Sequence, residues 1–112
     1  MTTIDELRNQ IRAMPDSIKK ANEALQIAKD TLRKRKSEYK LAEATSYLAQ
    51  TGSPFERKAK ALVACQEYFE LVLLAENAVA TAETTLEHGN DVFVALRKEA
   101  SMVEAELKNL NN

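Results

Sequence analysis

Only two glycines and two prolines interrupt these 112 residues, and the chain has no tryptophan, one histidine and one cysteine. Each shortage excludes something. A sandwich or barrel of short strands needs turn residues every 8–12 positions or so, and they are missing. The lone Cys65 closes no intramolecular disulfide, so a cytoplasmic location is the default. No run of about eighteen apolar residues occurs, so no membrane span is expected. The N-terminal stretch Met1 to Glu6 is acidic and lacks an apolar core, unlike a signal peptide. His88 has no glutamate three residues before it, so the Glu-x-x-His pattern of dimetal helical bundles is absent. No glycine-rich phosphate loop, nucleophile elbow or cysteine pair is present either. These absences predict no catalytic residue, no metal and no cofactor; the chain reads as a protein other than an enzyme. Cys65 reads as a small buried hydrophobe.

What remains is rich in Ala, Glu, Lys, Leu and Arg, the composition of long helices. The length allows one domain, residues 1–112. The stretch Thr51-Gly52-Ser53-Pro54-Phe55-Glu56 organises it. Gly52 can take the positive φ that ends a helix. Ser53 is a good N-cap, Pro54 fits the first helical position, and Glu56 completes a capping box with Ser53. One helix therefore stops and another starts within about four residues, the length of an antiparallel connection. The expectation is an all-α, long antiparallel helical hairpin, coiled-coil-like: a helix over about 3–50, a turn at 51–53, and a helix over about 54–110.

The seam of that hairpin is legible. Thr3 and Glu6 form a capping box, so the first helix should begin near Ile4. From there Ile4, Leu7, Ile11, Met14, Ile18, Ala21, Leu25, Ala28, Leu32, Arg35, Tyr39, Ala42, Ser46 and Ala49 alternate steps of three and four. Beyond the turn the same rhythm runs through Ala61, Cys65, Tyr68, Val72, Ala75, Val79, Ala82, Leu86, Gly89, Phe93, Leu96, Ala100, Val103, Leu107 and Leu110. Pro15 admits two readings: a kink that keeps the register, which the unbroken phase favours, or a short helix ending near Ala13 with Asp16 or Met14 capping the next. Gly89 lies on the seam, so a continuous helix with a bend is preferred there. Between Tyr68 and Ala75 apolar side chains cover nearly every face. One seam cannot shelter Tyr68, Phe69, Leu71, Val72, Leu73 and Leu74 together, which predicts a homo-oligomer joined through them.

Charge is unevenly spread. Residues 1–66 carry thirteen Lys or Arg against eight Asp or Glu, a net +5; residues 67–112 carry three against nine, a net −6. Antiparallel pairing sets one beside the other. Lys29, Arg33, Lys36 and Lys40 follow helical spacing and make a basic stripe, with Lys34 and Arg35 beside it and Arg57, Lys58 and Lys60 just past the turn. Such a cluster can neutralise phosphates, and Tyr39 and Tyr47 lie close enough to offer stacking surfaces to unpaired bases. The competing reading is an ordinary charged face, partly neutralised by Glu38, Glu43 and acids of the opposite helix.

The run Lys36-Ser37-Glu38-Tyr39-Lys40-Leu41-Ala42-Glu43-Ala44, followed by Thr51-Gly52-Ser53-Pro54-Phe55-Glu56-Arg57-Lys58-Ala59, resembles small helical proteins of tailed bacteriophages. In layout the chain is similar to the UvsY family of phage recombination mediators. That resemblance implies ring-like oligomers that bind single-stranded DNA and help to load a recombinase. It implies Arg33, Lys34, Arg35, Lys36, Lys40, Arg57 and Lys58 as phosphate contacts, a recombinase or single-strand-binding protein as partner, and the host cytoplasm as location. The expected function is thus a non-enzymatic accessory of phage DNA metabolism. The alternative is a structural or protein-binding coiled coil without nucleic acid: a virion component, or an inhibitor or adaptor of a host protein.

Overall fold

The structure, a computed structural model, describes residues 3–111, so Met1 and Thr2 of the acidic N-terminal stretch and Asn112 lie outside it. The described residues form three helices and no strand: α1 (Ile4–Ala49), α2 (Pro54–Ala64) and α3 (Gln66–Asn111). The start of α1 follows from its cap. The Glu6 N–H donates to Thr3 Oγ1 at 3.2 Å, and the Thr3 N–H donates to Glu6 Oε2 at 3.3 Å. Two of the otherwise orphaned N–H groups at this end are thereby satisfied. Pro15 sits inside α1, exposed, and the helix runs through it. Proline removes one backbone donor, but the register of the seam is kept on both sides.

The turn forms as its residues dictate. The Gln50 N–H donates to the Tyr47 carbonyl at 3.2 Å, tightening the last turn of α1. Gly52 has φ of +112°. Ser53 caps α2: its Oγ accepts from the Glu56 N–H at 3.2 Å, and Pro54 occupies the first turn. A Cβ on Gly52 would collide with the Glu56 carboxylate, so both backbone and space call for glycine.

The second half departs from the expected single helix at one residue. Cys65 has φ −101° and ψ 12°, in the sparsely allowed bridge region, and separates α2 from α3. The break is slight: the Cys65 N–H still donates to Ala61 O at 3.0 Å, and its carbonyl accepts from the Phe69 N–H at 3.1 Å. Neither glycine nor proline accounts for it. Ala61 and Cys65, on either side of the last turn of α2, are both buried. At Gly89, by contrast, α3 continues without interruption.

Two compact units divide the chain, Met1–Leu25 with Ala82–Asn112, and Gln26–Thr81; they are called here the terminal and hinge units. Each is an antiparallel helix pair, so the helical-hairpin fold class expected from the spacing is borne out. In the terminal unit Arg8 Nη2 meets Glu104 Oε1 at 3.5 Å, and Ile18 Cγ1 lies opposite Gly89. Leu7, Leu25 and Ala100 are its buried residues. In the hinge unit Tyr39 of α1 meets Phe69 of α3, ring centroids 5.7 Å apart and tilted by 50°. Ala61, Cys65, Val72 and Ala75 are its buried residues. Of the fourteen seam positions read along α1, only Ala49 is exposed. On the other strand of the seam Tyr68, Leu107 and Leu110 are exposed. No described helix is long and apolar enough to cross a membrane.

Candidate nucleic-acid interface

Every lysine and arginine of the hinge unit lies between Lys29 and Lys60, around the end of the hairpin. An α-helix advances about 100° per residue, so Lys29, Arg33, Lys36 and Lys40 fall on one flank of α1. From α2, Lys58 reaches the same flank: Lys40, Glu43, Ala44, Tyr47, Leu48, Lys58 and Ala61 line one open groove of about 480 Å³. The three ion pairs among the described residues are Arg8–Glu104, Arg33–Asp30 and Arg35–Glu38, and none uses a lysine. Lys29, Lys34, Lys36, Lys40 and Lys58 are exposed. They carry positive charge into solvent, which is what a phosphate chain requires.

The remaining basic residues are placed differently. Arg33 is exposed, with Asp30 at 2.7 Å taking part of its charge. Arg35 is half-buried on the seam and bonded to Glu38 of the same helix at 3.0 Å, which takes part of its charge. Lys34 falls on the opposite flank of α1 by helical spacing. The Lys60 ammonium donates to the Thr51 carbonyl at 3.3 Å, tying α2 to the turn. Arg57 is half-buried, with its Nε shielded and unpartnered. The nine-residue set therefore resolves into a stripe of five, Lys29, Arg33, Lys36, Lys40 and Lys58, and four residues off it.

The aromatic residues also separate. Tyr39 is half-buried against Phe69, and burial, then the adjacent Glu43 carboxylate, pushes its phenol above the ordinary tyrosine range. Tyr47 is half-buried in the groove between Lys40 and Lys58. Phe69, read from the sequence as an oligomer contact, lines a smaller notch with Tyr39, Leu62 and Gln66.

The apolar belt divides in the same manner. Val72 is 6% exposed and belongs to the internal seam, which corrects its reading as an outward contact. Tyr68 lines the groove on the far side of α1, with Leu41, Thr45 and Ala64. By helical spacing Leu71 and Leu74 follow Tyr68's flank, whereas Leu73 follows that of Phe69. All four leucine and tyrosine side chains are exposed, Leu74 most at 64%. The belt is thus two flanks with the seam between them; the sequence pattern shows the apolar excess, and only the packing shows which side each residue takes.

Among the described residues no group of three or more His, Cys, Asp or Glu is placed to hold a metal. Compared with protein-family models, curated proteins and solved structures, the chain has no match.

Proposed function

We propose that the hinge unit binds single-stranded DNA as a non-enzymatic accessory of phage recombination, in the cytoplasm of the infected cell, with a recombinase or single-strand-binding protein as a further partner. One observation carries this reading: Lys40 and Lys58, from two different helices, face one groove that also holds Tyr47, and the stripe Lys29, Arg33, Lys36 continues it along α1. Its lysines are exposed and free of ion pairs among the described residues. The layout around the turn that resembles the recombination mediators supports the same reading. Each phosphate contact on a single strand contributes about −0.7 to the slope of log affinity against log salt. Replacing Arg33, Lys36 and Lys40 together by Glu should remove binding to a single-stranded oligonucleotide at low salt. Unchanged affinity in that variant, or no binding by the parent protein in 50 mM salt or so, overturns the proposal.

The second reading is a self-assembling or protein-binding coiled coil, and a separate observation favours it. Tyr68, Leu71 and Leu74 are exposed on the flank that does not carry the stripe. Exposed apolar patches of this kind mark interaction surfaces. Light scattering should give a mass of more than one chain, and Leu71→Gln with Leu74→Gln should return it to one. A parent protein that scatters as a single chain at micromolar concentration counts against assembly.

A further inference from the structure

The stripe explains attraction to phosphates, which single and double strands share. Nothing in it distinguishes them. The notch lined by Tyr39, Leu62, Gln66 and Phe69 can. Phe69 rests edge-tilted on Tyr39, with ring centroids 5.7 Å apart, and 46% of its surface remains open. It lies on the basic flank: Lys36 and Lys40 sit one turn before and one residue after Tyr39 on α1. Gln66 contributes an amide that can both donate and accept. The Glu43 carboxylate also lies near Tyr39 on this flank of α1 and helps to push its phenol up. Phe69 is therefore an open aromatic face with cations beside it, the combination that holds unpaired bases. A duplex keeps its bases stacked inside and offers such a face nothing but phosphate.

We propose that the Tyr39–Phe69 notch seats one unpaired base, stacked on Phe69, of a strand whose phosphates follow Lys36 and Lys40. This rests on the reading of the stripe as a phosphate track. It adds that Phe69 sets the preference for single strands, and that Tyr39 positions its ring. Tyr47, eight residues further along α1 and so about 12 Å away at 1.5 Å per residue, is a second aromatic stop on the same flank.

The test compares a thymidylate oligonucleotide with an abasic strand of equal length and charge. The parent protein should bind thymidylate on the order of tenfold more tightly. Phe69→Leu should abolish that preference and leave affinity for the abasic strand, and the salt slope, unchanged. Phe69→Trp should keep the preference. The chain has no other tryptophan, so the new indole reports directly: its fluorescence should be quenched by thymidylate and not by the abasic strand. Equal affinity of the parent for both strands, with a normal salt slope, overturns the stacking site and leaves the phosphate reading standing. Failure to bind either strand overturns both. A changed molecular mass of Phe69→Leu by light scattering, with helicity intact, would show Phe69 to be a contact between chains and overturn the stacking site.

Discussion

The terminal and hinge units are built alike, as antiparallel helix pairs on one three-four seam, and they differ in what they do with the rest of their surface. Among the described residues the terminal unit exposes four large apolar side chains, Val94, Met102, Leu107 and Leu110. The hinge unit exposes eleven, from Ile27 to Leu74. Charge separates them too: seven Lys or Arg against ten Asp or Glu in the terminal unit, a net −3, and nine against seven in the hinge unit, a net +2. In the terminal unit the outward positions of α3 hold Arg97, Lys98, Glu99 and Glu104, and Arg97 covers the Phe93 ring at 5.6 Å. In the hinge unit exposed positions of α3 hold Phe69, Leu71, Leu73 and Leu74 beside Glu67, Glu70 and Glu76. A seam alone holds a helix pair together. Most of the outward apolar and basic side chains of the hinge unit lie off that seam, although Phe69 meets Tyr39 across the pair and Lys60 holds the turn.

The strongest way to break this contrast is to truncate one leucine of each kind. Leu7 is fully enclosed in the terminal unit, at 1% exposure. Leu7→Ala should cost about 2–5 kcal/mol, from lost transfer energy and the cavity left behind. Leu74→Ala, on the outward flank of the hinge unit, should change the stability of the dilute single chain by no more than about 0.5 kcal/mol. Denaturant midpoints measure both. Equal losses would mean that the outward flank is as much part of the core as the seam, and the contrast between the units would be gone.

How far the sequence foretells this architecture depends on the kind of signal. The Thr3–Glu6 cap, the Gly52–Ser53–Pro54 turn and the seam of α1 are local or periodic features, and each forms where its residues place it. Helical period and turn chemistry suffice for them. The break at Cys65 carries no local signal: neither glycine nor proline marks it, and Ala61 and Cys65 are both buried there. The site was legible as a list of cations and illegible as a surface. Spacing placed Lys29, Arg33, Lys36 and Lys40 on one stripe. It also names Glu38 as a neutralising acid, and Glu38 is bonded to Arg35 within α1; it could not show that Lys60 is tied to Thr51 or that Tyr39 is occupied by Phe69. The Tyr39 contact depends on the opposite helix, and the Lys60 tie on how α2 leaves the turn. Phe69 was read as part of an all-round apolar belt, and only its contact with Tyr39 assigns it to the basic flank.

The two glycines, one in each unit, sharpen the contrast at smaller energies and in opposite directions. At Gly52 the backbone has φ of +112°, where a side chain is strained, and a Cβ meets the Glu56 carboxylate. Gly52→Ala should therefore destabilise by about 1–2 kcal/mol, even though the carboxylate can swing aside. At Gly89 the backbone is helical, and a Cβ would come to 3.7 Å from Ile18 Cγ1, an ordinary contact. Alanine there removes the conformational freedom that glycine gives the unfolded chain and adds a methyl group to the seam. Gly89→Ala should stabilise by about 0.5–1 kcal/mol, read as a higher denaturant midpoint with unchanged slope. A loss at Gly89 would show that the helices of the terminal unit approach more closely than a methyl group permits.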